Sequence, residues 1–191
     1  MLFMFIYTLP VIAEDIMLEI MPPTQKIYVD DSILITAKLI NQGLDPITLV
    51  ALGDGSGSGL RTPIVGWSII PEADFQGEHP DDMQPNLGGR LCGNINPIQL
   101  DEIFTIKPNQ TYWLNHWINL PYFEEPGIYH IAFYYENNPE HPMDGFEQEV
   151  VEKFRETQYL FLKSNDLIIE VLPNVIDLPS SNNLIQVDDE Q

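Results

Sequence analysis

The chain has 191 residues, 44% of them hydrophobic, so it is long enough to bury the core of one domain. Twenty-nine acidic residues against eight lysines and arginines give a formal net charge of −21. Such a surface repels the phosphate backbone, so we expect no nucleic acid partner. The single cysteine, Cys92, excludes an intrachain disulfide framework, and the fold must depend on its hydrophobic core instead.

The first thirteen residues, MLFMFIYTLPVIA, carry no charge and are too short to span a bilayer as a helix. Val11 and Ala13 stand at positions −3 and −1 before Glu14, which is the small-residue pattern of a cleavage site. We therefore expect residues 1–13 to be a signal peptide and the protein to be exported, to the periplasm or the extracellular space. The basic start of such peptides is missing, and an ordinary buried strand is the alternative. No other segment is apolar for long enough to predict a membrane span.

Apolar and polar residues alternate through most of the chain, which is the pattern of β-strands. In SILITAKLIN, residues 33, 35, 37 and 39 share one apolar face. The turn QGLDP and the apolar stretch ITLVAL follow, and we interpret the pair as a β-hairpin. Further strands are predicted in VGWSII, IQLDEIFTI, TYWLNHWINL, TQYLFLK and NDLIIEVL.

The stretch GIYHIAFYYE shows the alternation most clearly. Residues 129, 131, 133 and 135 are predicted to face the core, and His130 with its alternate neighbours to face outward. Eight or nine strands separated by turns predict an all-β fold, an immunoglobulin-like antiparallel β-sandwich over residues 14–173. His116, in another predicted strand, is likewise expected to point outward.

One short helix is predicted in DGFEQEVVEKFRET. Phe146, Val150 and Phe154 are spaced four residues apart, so they form one apolar stripe along such a helix. Asp144 is the expected N-cap, with Glu147 three residues later. We expect this helix to cover a sheet edge or one end of the core.

Two segments lack a strand pattern. Residues 71–97 hold four prolines, four glycines and five acidic residues, and we interpret them as a long loop insertion. Residues 174–191 are polar with four acidic residues, and we interpret them as a flexible acidic tail.

The stretches DDSILITAKLINQGLDPITLV, TIKPNQTYWL and EEPGIYHIAFYYE resemble bacterial immunoglobulin-like domains. The resemblance extends more distantly to CARDB-type adhesion modules and to BsuPI-type intracellular proteinase inhibitors. The stretches GDGSGSGLRTPIVGWS and GGRLCGNIN are similar to a group of exported bacterial proteins with no assigned activity. These resemblances imply a sandwich fold. The last one implies export, whereas the inhibitor family is cytoplasmic. None of them transfers a binding residue to this chain.

A glycine-rich run, GDGSGSG, occupies residues 53–59. No lysine follows its glycines as a phosphate-binding loop requires, and the spacing does not match a dinucleotide-binding turn or a nucleophile elbow. Asp54, Ser56 and Ser58 do fall at positions 1, 3 and 5 of a calcium loop, but position 12 is Val65 instead of glutamate. Calcium binding by these three residues is therefore an open alternative to a plain flexible loop.

Three tryptophans and two arginines are the remaining candidates for binding. Trp113 and Trp117 share a strand face with asparagines, an arrangement that can stack on sugars, although a core face is the favoured interpretation. Trp67 flanks the insertion. Arg61 and Arg90 lie in loops 53–63 and 71–97, where pairing with nearby acids to hold the insertion is favoured over ligand recognition.

Paired acidic residues are frequent, but a chain with so many acidic residues contains such pairs by chance. No sequence motif supports a catalytic triad. We therefore expect a protein that is not an enzyme and needs no cofactor. The predicted function is a binding module for a protein or glycan partner, acting through loops 53–63 and 71–97. The alternative is a protein, stabilised or catalytic, that depends on a divalent metal, with calcium the candidate ion.

Overall fold

The structure is a computed structural model, and it describes residues 15–23, 26–31, 33–83, 96–114, 123–143 and 146–174. Ten strands and one α-helix lie within these ranges. The expected signal peptide at 1–13 and all of the expected tail beyond residue 174 lie outside the described residues. Among the described residues, no helix combines the length and the apolar character needed to cross a membrane.

The strands form two layers. In the first layer, β1 (Ile16–Met21), β3 (Thr36–Asn41) and β7 (Thr111–Trp113) form an antiparallel sheet with β3 in the middle. The strands β4 (Ile47–Val50) and β6 (Ile103–Ile106) pair with each other. The second layer has the order β2-β10-β8-β5, with β9 also paired to β8. Its strands are β2 (Ile27–Tyr28), β5 (Ile64–Pro71), β8 (Gly127–Asn137), β9 (Leu160–Lys163) and β10 (Leu167–Leu172).

The main hydrophobic core lies between these layers. Alternate residues of each strand supply it, for example Leu18 and Leu39 from the first sheet and Ile131, Phe133 and Ile169 from the second. This confirms the predicted all-β, immunoglobulin-like sandwich with one short helix. Among the described strands, all pairs are antiparallel except the two-residue β2, which runs parallel to β10.

The helix α1 (Gln148–Arg155) forms where the apolar stripe predicts it. Val150 and Phe154 are buried with Val50, Ile98 and Met143 in a second, smaller hydrophobic cluster. The helix therefore covers the β4–β6 pair, as expected. Its N-cap is Glu147, whereas the predicted cap at residue 144 lies outside the described residues.

The predicted hairpin between β3 and β4 is wrong. These strands do not pair, because β3 lies between β1 and β7 while β4 pairs with β6. The buried Asn41 explains the difference, since its amide nitrogen donates to the carbonyls of Asp45 and Ile106, and its amide oxygen accepts from the Gly43 N–H. These hydrogen bonds provide partners for backbone groups at the end of β3, where its strand pairing stops. The link 42–46 therefore does not fold the chain back into a hairpin.

The central strand β8 is buried on both faces. The core-facing Ile131, Phe133 and Tyr135 are buried as predicted, but Ala132 and Tyr134 on the outer face are also at most 1% exposed. Residues 72–83, named the strap here, cover this outer face. The strap begins with a 3-10 turn at Glu72–Asp74, and its Pro80 carbonyl accepts a hydrogen bond from the Tyr134 hydroxyl. This part of the insertion is therefore packed on a sheet instead of forming an end loop.

We predict that Asn41→Leu lowers the free energy of unfolding by about 3 kcal/mol, because each buried polar group left without a partner costs about 1–3 kcal/mol. Urea denaturation measures the change. Gln42→Leu, at the exposed neighbouring position, is the control and should stay within about 0.5 kcal/mol of the native chain. An Asn41 variant as stable as the control would contradict the bridging role.

Candidate functional site

Loop 53–63 is held together by its own hydrogen bonds. Ser56–Ser58 form a 3-10 turn between Gly55 and Gly59, whose φ angles of 93° and 71° favour glycine. The Ser56 hydroxyl accepts from the Gly53 N–H, and the Ser58 hydroxyl donates to the Gly55 carbonyl. The glycine-rich run is therefore a closed turn of defined geometry.

The three calcium candidates do not present a ready set of ligands. Asp54 is exposed, Ser56 is buried, and both serine hydroxyls are engaged within the turn. Within the part of the chain that the structure describes, no group of three histidine, cysteine or carboxylate side chains is arranged to hold a metal ion. Calcium binding stays a prediction that the geometry does not favour.

Arg61 is buried at the base of this loop, 3% exposed. Its Nη2 lies 2.7 Å from Glu102 Oε2, and its Nη1 donates to the Asn96 carbonyl at 3.1 Å. Asn96 belongs to the end of the insertion, so Arg61 ties the insertion to the body, as the sequence suggested. The paired acid, however, lies just beyond the insertion. The guanidinium packs directly on the backbone of Gly53, where an added Cβ would overlap it.

A cavity of about 240 Å³ lies beside Arg61. It forms where loop 53–63 meets the end of the insertion and the segment between β8 and α1. Leu60, Met143 and Phe146 give it an apolar lining, and Arg61 and His141 add nitrogen donors. The structure thus brings parts of both predicted binding loops to one small concave surface.

The two described tryptophans, Trp67 and Trp113, do not form a common surface. Trp67 is half-buried and packs on the core, with its ring centre 4.6 Å from that of Phe133. Its ring is therefore not displayed beside a binding loop. Trp113 is 45% exposed, and the favoured assignment to the core is wrong. It pairs across the sheet with Lys38, which alternates with core residues, and the Lys38 ammonium lies 5.6 Å from the centre of its ring. Trp117 and Arg90 lie outside the described residues.

A second cluster lies between the strap and the outer face of the second sheet. His79 of the strap lies 2.9 Å from the Ser68 hydroxyl and 3.0 Å from Asp166 Oδ1. The other oxygen of Asp166 lies 2.7 Å from His130 Nδ1, and His130 Nε2 lies 2.7 Å from Glu72 Oε2. Four hydrogen bonds therefore link five side chains in one line, which we name the histidine network.

Neighbouring contacts enclose this network. The Phe75 ring stacks on His130 with centres 3.7 Å apart and planes 9° apart. Lys163 donates to the His79 carbonyl and to Asp81 Oδ1. The two histidines are 5% and 7% exposed, so both rings are withdrawn from solvent.

The electrostatics of the network follow from these contacts. The hydrogen bond to Asp166 raises the pKa of His130, helped by the bond to Glu72 and opposed by burial. Burial opposes ionisation of Asp166, but the hydrogen bonds from His79 and His130 outweigh it and lower the pKa of this carboxyl. The Asp81 carboxylate raises the pKa of Lys163. The network thus favours a protonated imidazole at His130 next to an ionised Asp166.

The line Ser68–His79–Asp166 contains the residue types of a hydrolase triad. His79, however, is a residue of the strap itself and is only 5% exposed, so a substrate reaches this line only if the strap moves. In the structure as described, the line fastens the strap.

Sequence reasoning missed this network. It placed His130 on the outer face of its strand correctly, yet gave no partner for it. The members are far apart in the chain, since Ser68 comes from β5, His130 from β8 and Asp166 from the link between β9 and β10. No spacing in the sequence signals such a cluster, because only the sheet order brings these residues together.

Comparison of the chain with models of known protein families and with curated proteins finds no match. The sandwich fold agrees with the resemblance to bacterial immunoglobulin-like modules, but a relationship to those modules stays a prediction.

We predict that Gly53→Ala lowers the free energy of unfolding by about 2 kcal/mol, because overpacking a filled site costs about 1–3 kcal/mol and displaces the Arg61 guanidinium. Gly57→Ala is the matched control, since nothing lies within 4 Å of a Cβ added there. Chemical denaturation of both variants gives the comparison. Equal free energies of unfolding for the two alanine variants would show that the Arg61 side chain moves aside without loss of stability.

Proposed function

We propose that the protein is a non-catalytic binding module that takes one apolar side chain of a protein partner into the cavity beside Arg61. The observation that carries the proposal is the meeting of loop 53–63, the end of the insertion and the chain before α1 around one apolar hollow. Export, expected from residues 1–13, stays a prediction beside it.

The size of the cavity supports a side chain as the occupant. Cavities that enclose drug-sized ligands measure about 300–1,000 Å³. A space of about 240 Å³ is smaller and suits a single aliphatic or aromatic group. A lining that is mainly apolar with a few polar atoms is typical of the pockets that anchor such a group at a protein interface.

Arg61 gives the cavity a polar end. Its Nη2 pairs with Glu102 Oε2 at 2.7 Å, whereas its Nε has no hydrogen-bond acceptor among the described residues. Buried N–H groups without an acceptor are uncommon in folded proteins, and an oxygen of a bound molecule is one usual explanation.

We predict that Leu60→Ala weakens binding of the best peptide from a peptide array about tenfold, because truncating an anchoring contact costs about 1–2 kcal/mol. Leu60 lines the cavity and is 37% exposed, so the variant should keep its fold. Leu44→Ala, at a leucine that is 92% exposed and outside the cavity, is the matched control and should bind as the native chain does.

A parallel glycan array tests the other partner class. The proposal would be overturned if the protein bound a glycan, if Trp113→Ala abolished that binding and if Leu60→Ala left it intact. Recognition would then be assigned to the exposed face of the first sheet. Peptide binding unaffected by Leu60→Ala would exclude the cavity.

The calcium alternative has its own measurement. We predict that the melting temperature stays the same in calcium and in EDTA, because Ser56 and Ser58 already use their hydroxyls within the turn. A ligand that binds only the folded state must raise the melting temperature. A rise with calcium that Asp54→Asn removes would establish the metal site instead.

A further inference from the structure

The strap is acidic and rests on few cations. It carries Glu72, Asp74, Glu78, Asp81 and Asp82, and no lysine or arginine. Across the contact, the sheet side supplies a further carboxylate, Asp166, which accepts from both histidines. Attachment of the strap therefore requires positive charge between carboxylates that otherwise repel one another.

His130 is the group in that position. Each of its ring nitrogens lies 2.7 Å from a carboxylate oxygen, Asp166 on one side and Glu72 on the other. Carboxylates only accept hydrogen bonds, so both contacts require an N–H donor. A neutral imidazole has one N–H, whereas the protonated ring has two. The geometry therefore matches the protonated ring and leaves one carboxylate without a donor when the ring is neutral.

We propose that the strap is a pH-operated latch, closed on the outer face of the second sheet when His130 is protonated and released when His130 loses its proton. Release of the strap end that contains Glu72 exposes the outer face around His130, whereas Tyr134 stays bonded to the Pro80 carbonyl.

The other groups around His130 set the direction of the response. Those facing it from neighbouring elements are Glu72 and His79 of the strap, the Phe75 ring, and Asp166 before β10. Lys163 on β9 is bound to Asp81 and to the His79 carbonyl, so it holds the far end of the strap independently. Loss of the proton at His130 therefore loosens first the end of the strap that contains Glu72.

The sign of the pH dependence follows from the shifts at His130 and Asp166. The pKa of His130 is raised in the folded chain, so its contribution is complete below the ordinary histidine pKa of about 6.5 and is lost as pH rises through the folded pKa. The lowered pKa of Asp166 sets the acid limit, because that contribution is lost as pH falls through its folded value. We expect the latch to be tightest in mildly acidic solution.

Hydrogen exchange of the full chain between about pH 5 and pH 9, corrected for intrinsic rates, tests the latch. We predict that protection of residues 72–83 falls about tenfold for each unit by which the folded pKa of His130 exceeds 6.5. Residues 131–135 of β8 should stay protected. In His130→Gln the strap should exchange faster in acid and show no such transition. His141→Gln, at a histidine that lines the cavity and lies outside the network, is the matched control and should leave the exchange of the strap and its pH dependence unchanged.

Two results would overturn the latch. One is unchanged protection of the strap across the titration of His130, followed by NMR, and the other is the same transition in His130→Gln. If that variant does not fold, Glu72→Gln serves instead, because the Glu72 side chain is 61% exposed and glutamine keeps its size. Its transition should move to lower pH, and an unmoved midpoint would refute the proposal.

Discussion

The burial of β8 on both faces is the constraint on which the rest of the structure depends. One face closes the hydrophobic core against the first sheet, and the other requires a cover because Ala132 and Tyr134 lie there. A sheet face that is apolar and uncovered would attract other chains. The strap fills this role. Two histidines fasten it: His130 lies between Glu72 of the strap and Asp166 on the sheet side, and His79 of the strap lies between Ser68 and Asp166.

A buried side chain with polar partners also holds the other described end of the insertion. Arg61 is a buried cation next to one carboxylate and one backbone carbonyl, and it requires a residue without a side chain at position 53. The glycine-rich run is thus explained by close packing of a guanidinium at its first glycine and by left-handed backbone at Gly55 and Gly59. Neither feature requires a phosphate or a metal ion.

Local periodicity predicted what depends on local pattern. Alternation placed Ile131, Phe133 and Tyr135 in the core, and four-residue spacing placed Val150 and Phe154 under the helix. It failed where a distant partner decides. The link 42–46 has the composition of a hairpin turn, but Asn41 bonds to Ile106 and the strands separate. Trp113 has the character of a core residue, but its register opposite Lys38 places it outside. The histidine network has no local signal at all.

In a chain of charge −21, Arg61 and His130 each hold a defined point of the insertion. Arginine side chains in proteins stay protonated, whereas histidine is the side chain that exchanges its proton in the range where proteins work, and the pKa of His130 is raised by its carboxylate partners. The two attachments therefore differ in kind, since the contact at Asn96 is permanent and the contact at Glu72 depends on the proton. A permanent attachment beside the cavity would preserve its shape during the proposed opening of the strap. The proposed binding at the cavity and the proposed release of the strap are for this reason separable, and a variant at either Arg61 or His130 should alter one and spare the other.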